Sequence, residues 1–273
     1  MKIVVLSDNR SSHDAYTTEH GLSVYIEKDG YKLLFDTGAS DLFIRNAERL
    51  QIDLSQVDYL FISHAHADHI GGLMDFLQVN QQAKIVLSKH AFNRKLYSRR
   101  VAFREIGNQF DIQSYADRFL WVEDVLHLHE DIVISAITTT QYPFPKGNRT
   151  LFMETAEGVV QDDFSHEIVI AVGKADLFVY TGCAHHGLLN MLETVKQHSS
   201  KPIATVLGGF HLLDSTETQV YESKSDLDFI IDKIKSDYAF TQFYTGHCTG
   251  NQALGYLRKQ LMQQIKGFEI GVI

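Results

Sequence analysis

The sequence predicts an α/β (α+β) protein built as a four-layer αββα sandwich, with two mixed sheets face to face and helices outside them. Apolar β-like runs alternate with helical segments along most of the chain, the pattern of α/β layers. These units fall in two halves, and in each half strands end in turns rich in glycine and histidine: residues 63–72 in the first, 181–187 and 245–250 in the second. No internal repeat of solenoid period competes with this organisation. Potential metal ligands are thereby gathered at one edge, between the sheets.

Composition bounds the answer. A chain of 273 residues buries a large core and suits one αβ sandwich, so a single domain over 1–273 is expected. With 44% hydrophobic and 22% charged residues it reads as a soluble globular protein, and no run approaches the roughly 18 apolar residues of a membrane span. A formal charge of −9 argues against sequence-independent nucleic-acid binding, which needs Lys and Arg to neutralise phosphates. Cys183 and Cys248 cannot make a disulfide framework, and each lies near histidine in a glycine-rich segment.

The elements follow in order. Residues 1–8 have a strand's length and lack the apolar region and cleavage site of a signal peptide, so a cytoplasmic location is expected. Leu22–Glu27 and Tyr31–Phe35 read as strands joined by a hairpin through Lys28-Asp29-Gly30. The second ends at Asp36-Thr37-Gly38, and a helix is expected from about Asp41 to Leu50 with Ser40 as its N-cap. Glu19-His20-Gly21, upstream, suits an ordinary polar loop as well as a place at the site. Tyr59–Ile62 is a buried strand, followed after a loop by a helix from Leu73 to Val79 and a strand from Lys84 to Leu87.

From Lys89 to Asp131 the rhythm breaks, so an insertion is expected there. It carries Arg94, Lys95, Arg99, Arg100 and Arg104 within eleven residues. Such runs are usually solvated faces, but one or two of these arginines, Arg99 among them, are candidates to grip an anionic substrate through a guanidinium fork. His127 and His129 alternate along a strand-like piece near Val125–Ile134 and read as structural. Tyr142-Pro143-Phe144-Pro145 breaks the chain into a loop that runs to Arg149, a second anion-binding candidate.

Glu167–Val172 and Leu177–Tyr180 are strands, and the second feeds Thr181-Gly182-Cys183-Ala184-His185-His186-Gly187 before a helix from Leu188 to His198. Val206–Leu212 is a further strand, ending in Gly208-Gly209-Phe210-His211; the glycine pair suggests close approach of something to the backbone, and His211 is read as ligand, general acid or substrate clamp. A one-faced helix over Ser225–Ser236, a strand over Phe240–Tyr244 and a helix over Asn251–Gln263 complete the chain. The amides opening that last helix, near Thr249 and Gly250, suit a phosphate or carboxylate.

The most informative stretch is His64-Ala65-His66-Ala67-Asp68-His69, four potential ligands in six residues where a strand runs out into a loop. Such a loop can turn His64 and His66 one way and Asp68 and His69 another, so that two cations lie a few ångströms apart. Imidazole with carboxylate suits zinc, manganese or iron rather than calcium, and a closed structural zinc site would favour cysteine.

This stretch resembles the HxHxDH signature of the metallo-β-lactamase superfamily. Residues 181–185, 208–212 and 245–250 resemble one subgroup, the dihydropterin ribofuranosylaminobenzene phosphate synthase-like proteins. The resemblance implies two divalent ions, zinc before manganese or iron. His64, His66 and His185 would hold the first, and Asp68, His69 and His247 the second. Asp36 would brace the metal loop by hydrogen bonds without touching metal. Cys183 occupies the place of the usual bridging aspartate and is a further ligand candidate, and the segment 89–131 would form a lid or a contact in a homodimer.

The implied chemistry is hydrolysis of a small anionic substrate, a phosphoester, lactone or other acyl compound, by a metal-bridging hydroxide, with Asp68 orienting the nucleophile and His211 stabilising or protonating what leaves. A pterin-type condensation releasing diphosphate, iron redox chemistry and a non-catalytic metal-dependent sensor are the alternatives.

Overall fold

The computed structural model describes residues 1–273. In chain order the first half contains β1 (Lys2–Ser7), β2 (Ser23–Lys28), β3 (Tyr31–Phe35), α1 (Leu42–Arg49), β4 (Tyr59–Phe61), α2 (Ala67–Ile70), α3 (Leu73–Val79) and β5 (Lys84–Ser88). The middle adds β6 (Leu96–Ser98), β7 (Arg104–Glu105), β8 (Phe119–Val122), β9 (Val125–Leu128), β10 (Ile132–Ala136), β11 (Leu151–Thr155) and β12 (Gly158–Gln161). The last part comprises β13 (Ile168–Val172), β14 (Leu177–Tyr180), α4 (Leu188–His198), β15 (Ile203–Leu207), α5 (Lys224–Asp237), β16 (Gln242–Thr245), α6 (Asn251–Leu261), β17 (Ile265–Gly267) and β18 (Gly271–Val272).

Two seven-stranded mixed sheets result, in the orders β18-β1-β2-β3-β4-β5-β8 and β17-β16-β15-β14-β13-β10-β9. Period-two alternation decides what each strand buries. In β1, Val4 and Leu6 enter a core with Phe43, Leu73 and Phe76 of α1 and α3, while Ile3 and Val5 face the second sheet. Phe35, Phe61, Phe178 and Tyr180 meet between the sheets, with Phe35 4.8 Å from Tyr180 and 5.2 Å from Phe61 by ring centroid. A third core joins the outer face of the second sheet to α4, α5 and α6 through Leu192, Val206, Ile231, Phe243 and Leu257. Three cores separate four layers, as the αββα expectation requires.

Local chemistry explains the turns. Asp29 and Gly30 both take positive φ, 56° and 97°, matching the right-handed twist of the β2–β3 hairpin. Helix α5 starts in a capping box: Ser223 Oγ accepts from the Asp226 amide at 3.3 Å and Asp226 Oδ2 accepts from the Ser223 amide at 2.7 Å. The N-cap of α1 is Asp41, one residue later than expected, while Ser40 Oγ accepts from the Leu42 amide at 3.2 Å.

The middle of the chain departs most from expectation. Val125–Ile134 is not one strand: His129 takes φ 58° in a tight turn, so β9 and β10 pair antiparallel. Phe119–Val122 pairs parallel with β5 and extends the first sheet, which confines the excursion to residues 89–118. There β6 and β7 join the β11–β12 hairpin in a four-stranded sheet of order β12-β11-β6-β7. No helix is long and apolar enough to cross a membrane.

Strands β3 and β4 run parallel in one sheet, and β14, β15 and β16 in the other. Their carboxyl ends deliver Asp36, the 63–69 loop, the 181–187 turn, His211 and His247 to one edge.

A candidate dinuclear metal centre

Asp36 takes the left-handed backbone conformation immediately after β3, at φ 56°, and Ala184, His211 and His247 take it within four residues of the ends of β14, β15 and β16, at 54°, 50° and 52°. Turns this sharp cost energy for residues other than glycine, and such strain clusters at functional sites. Gly182 is required in this packing: a Cβ there would lie 2.3 Å from Ser63 Oγ.

The first set of potential ligands is His64, His66 and His185, all at most 4% exposed. Their ring centroids lie 4.7–4.9 Å apart. His64 Nδ1 bonds Ser63 Oγ at 2.9 Å and His185 Nδ1 bonds Asn148 Oδ1 at 3.1 Å, which leaves each Nε2 buried without a partner. His66 turns Nε2 toward Asp162 Oδ2, 3.6 Å away.

In the second set, His69 Nδ1 bonds Asp36 Oδ2 at 2.7 Å and His247 Nδ1 bonds Asn9 Oδ1 at 3.1 Å. With both Nδ1 atoms engaged, the two Nε2 atoms face each other at 3.1 Å. Asp68 Oδ2 lies 3.3 Å from His247 Nε2 and 3.8 Å from His69 Nε2. Two imidazole nitrogens and a carboxylate converging in this way are a donor set able to hold a cation.

Cys183 stands between the sets. Its Sγ lies 3.2 Å from His69 Nε2, and it groups within 4.8 Å both with His64 and His185 and with His69 and His247. Without a cation, burial and the neighbouring Cys248 push this thiol well above its ordinary value. A bound metal would reverse that, since a coordinating thiol is deprotonated.

Electrostatics agree with the geometry. Burial, helped by neighbouring imidazoles, pushes His64 and His185 well below the ordinary histidine range, so both are neutral lone-pair donors. Burial works to raise Asp68, but His69, His247 and His20 outweigh it and hold the carboxylate ionised. Burial also works to lower His247; its bond to Asp68 and the nearby Cys248 outweigh that and bring it up to about 9.

Supporting groups account for the ring orientations. Asp36, wholly buried, accepts from the Ser63 amide at 2.7 Å, Ser63 Oγ at 2.7 Å and Tyr180 OH at 2.8 Å besides His69. Asn148 and Asn9 each clamp one histidine twice, taking the ring N–H and donating to the same residue's carbonyl, His185 at 2.7 Å and His247 at 3.1 Å. Glu167 accepts from the amides of His185 at 2.7 Å and His186 at 2.9 Å, and also bonds His186 Nδ1. Asp162 bonds His166 Nε2 at 3.2 Å, and His166 Nδ1 accepts the Ala65 amide. Asn9, Asn148, Asp162, His166, Glu167 and Tyr180 were not singled out from sequence, because none belongs to a local motif. His20 reaches the site, 3.2 Å from Asp68 Oδ2, while Glu19 props the neighbouring loop through the Ala39 amide.

A cleft of about 220 Å³ opens above these residues, lined by His66, Asp68, His185, His211, Cys248, Arg100 and Arg104. His211 is 2% exposed, and both of its ring nitrogens lack partners. Arg99 is not on the cleft wall: it lies over Phe152 and Phe103, at 4.4 and 5.2 Å. Arg99 and Arg100 lie just past the end of β6, and it is Arg100, with Arg104, that lines the cleft. Arg149 is exposed, bonds the Val220 carbonyl and covers Tyr221, so it too is engaged elsewhere. The amides near Thr249 and Gly250 are also spent: Thr249 donates to Gly246 and Gly250 to Leu212, both at 2.8 Å, and Asp214 already caps α6 through Gln252 and Ala253.

The fold and site thus define a protein built around clustered metal ligands at the edge of an αββα sandwich. Residues 16–151 match the family model described as the metallo-beta-lactamase superfamily. The chain is 30% identical to an uncharacterized protein of Methanocaldococcus jannaschii over 92% of both chains. It is 25% identical to 7,8-dihydropterin-6-methyl-4-(beta-D-ribofuranosyl)-aminobenzene-5'-phosphate synthase of the same organism, over 100% of this chain and 96% of that one. Its structure resembles that of a metal-dependent hydrolase of the beta-lactamase superfamily, at a TM-score of 0.80 and 29% identity, over 99% and 97% of the two chains. The chain belongs to the metallo-β-lactamase superfamily.

Proposed function

We propose that this protein is a hydrolase using two divalent ions, zinc before manganese or iron, on a small anionic substrate: a phosphoester, lactone or other acyl compound. One observation carries the reading: three unpartnered imidazole nitrogens, of His64, His66 and His185, and a second group of His69, His247 and Asp68, with Cys183 between them, lie at the foot of a lined cleft. A structural metal site would be closed by its ligands instead. When bound, such ions lower the pKa of a water from 15.7 to about 7 and polarise the oxygen of the group under attack.

The chain's own part follows from its contacts. Ser63, Asp36, Asn148 and Asn9 hold His64, His69, His185 and His247 in single tautomers, each with Nε2 aimed inward. Asp68, ionised and beside His20, can orient a nucleophile by accepting a hydrogen bond from it. His211, with no competing partner on either ring nitrogen, can hold or protonate a leaving oxygen. The charge of −9 supports a small molecule rather than a nucleic acid as the ligand.

The full-length likeness to the pterin-related phosphate synthase favours a second reading, a condensation that releases diphosphate from a pterin substrate. The test is metal content by plasma mass spectrometry on protein purified without added metal, followed by turnover of phosphodiester, lactone and pterin phosphate probes. Near two equivalents, with turnover abolished in both His66→Ala and His247→Ala, is the expected result. Full activity in either variant would sink the assignment.

A further inference from the structure

We propose that the outer wall of the cleft is a subsite for a phosphate monoester group of the substrate that does not itself react, held by Arg100 and Arg104. This rests on the hydrolase reading only for the bond broken deeper in the cleft.

The argument begins with the five basic side chains between residues 94 and 104. Three are satisfied by the chain. Arg94 donates to the His90 carbonyl at 2.9 Å and to Ser165 Oγ at 3.3 Å, and Lys95 pairs with Glu154 at 2.9 Å. Arg99 stacks on Phe103 and Phe152. Arg100 and Arg104 are the two whose guanidinium groups meet neither a carboxylate within 4.0 Å nor an aromatic face, and both line the cleft, with Glu105 on the same wall. In a chain of net charge −9, two unpaired guanidinium groups on one wall mark a place for a negative ligand.

The wall is held in place before any ligand arrives. Ser98 pairs with Arg104 across β6 and β7, and Ser98 Oγ accepts the Arg100 amide at 3.3 Å. Gln219 donates to the Arg100 carbonyl at 2.9 Å and ties the turn to the 213–222 loop. Arg100 Nε is nonetheless buried with no acceptor, and a guanidinium N–H left so is costly until something accepts from it.

Charge chooses among anions. Two guanidinium groups match a dianion, and a phosphate monoester carries about −1.5 to −2 at neutral pH where a carboxylate carries −1. The planar fork of arginine also fits phosphate oxygens in pairs. Because His66, Asp68 and His185 line the same cleft below, a substrate can place its phosphate on the arginines and a different bond over the metal ligands.

The experiment titrates inorganic phosphate, and separately acetate, into metal-loaded and chelator-stripped protein by calorimetry, with metal content measured in parallel. Arg100→Gln and Arg104→Gln should each weaken phosphate binding by about tenfold in both forms, the loss usual for a charge-assisted hydrogen bond, with metal content unchanged. Arg100→Lys and Arg104→Lys should recover part of it and decide the matter where a glutamine variant does not fold. Phosphate affinity that survives the substitutions, that vanishes wholly on stripping, or that equals acetate affinity would overturn the subsite. Arginine-dependent phosphate binding in a chain that takes up no metal would instead sink the hydrolase reading and leave the subsite standing.

Discussion

Replacing Asp36 by asparagine tests the link between the buried support and the metal centre. The backbone at φ 56° tolerates asparagine, so any effect belongs to the side chain. Asp36 Oδ1 faces one donor, the Ser63 amide, and Oδ2 faces three: Ser63 Oγ, His69 Nδ1 and Tyr180 OH. An amide keeps the three by aiming its NH2 at the Ser63 N–H. Two donors then oppose each other in a fully buried place, at a cost of about 2–3 kcal/mol. The other three bonds lose their ionic acceptor, at roughly 0.5 kcal/mol each.

The sum, about 4 kcal/mol, is a large fraction of the stability of an ordinary domain. Denaturant unfolding of metal-free protein should read it directly. Competition with a chromogenic chelator should also show metal affinity lower by about 10–100-fold, because His69 loses the carboxylate that aims it. A stability loss under about 1 kcal/mol together with unchanged metal affinity would refute the reasoning.

Three further outcomes are expected. Cys183→Ser should abolish the near-ultraviolet sulfur-to-metal charge-transfer absorption of cobalt-substituted protein, and its persistence would take the thiolate out of the centre. Metal-free protein should lose stability as pH falls below about 6.5: His64 and His185 have depressed values, so the unfolded chain binds more protons, at about 1.4 kcal/mol per pH unit for each. His247 acts oppositely, its contribution complete below about 6.5 and lost as pH rises through about 9, so a melting-temperature profile that stays flat from pH 5 to 9 would contradict both. Arg99→Ala and Arg149→Ala should leave turnover within about twofold of wild type while Arg100→Ala lowers it, since only the last lines the cleft.

Legibility from sequence followed the range of the interactions. Helices Leu73–Val79 and Leu188–His198, and strands Tyr31–Phe35 and Leu177–Tyr180, have the bounds that their apolar periodicity predicts. The β11–β12 hairpin was missed: all of β12 is exposed, so it carries little apolar pattern to read. The excursion from the sandwich ends at Arg118 and not at the expected Asp131, because β8 is short and owes its place to pairing with β5, a contact more than thirty residues away in the chain.

The candidate site divides in the same way. His64, His66, Asp68 and His69 share one loop, and local spacing is enough to single them out as candidate ligands, which the fold then brings together. Choosing among arginines was not a local question. Residues 99 and 100 are chemically identical neighbours, and which one meets the cleft depends on how the chain past β6 packs against Thr150 and Phe152.

The sequence by itself determined the layers of the sandwich and the edge at which the candidate ligands gather, because hydrophobic period and residue spacing are properties of adjacent residues. Only the tertiary structure decided that Cys183 stands between both ligand sets, that Asn9 and Asn148 clamp their histidines across 238 and 37 residues, and that Arg100 rather than Arg99 or Arg149 faces the cleft. Those are contacts between segments far apart in the chain, and their partners are chosen by packing, which no local spacing encodes.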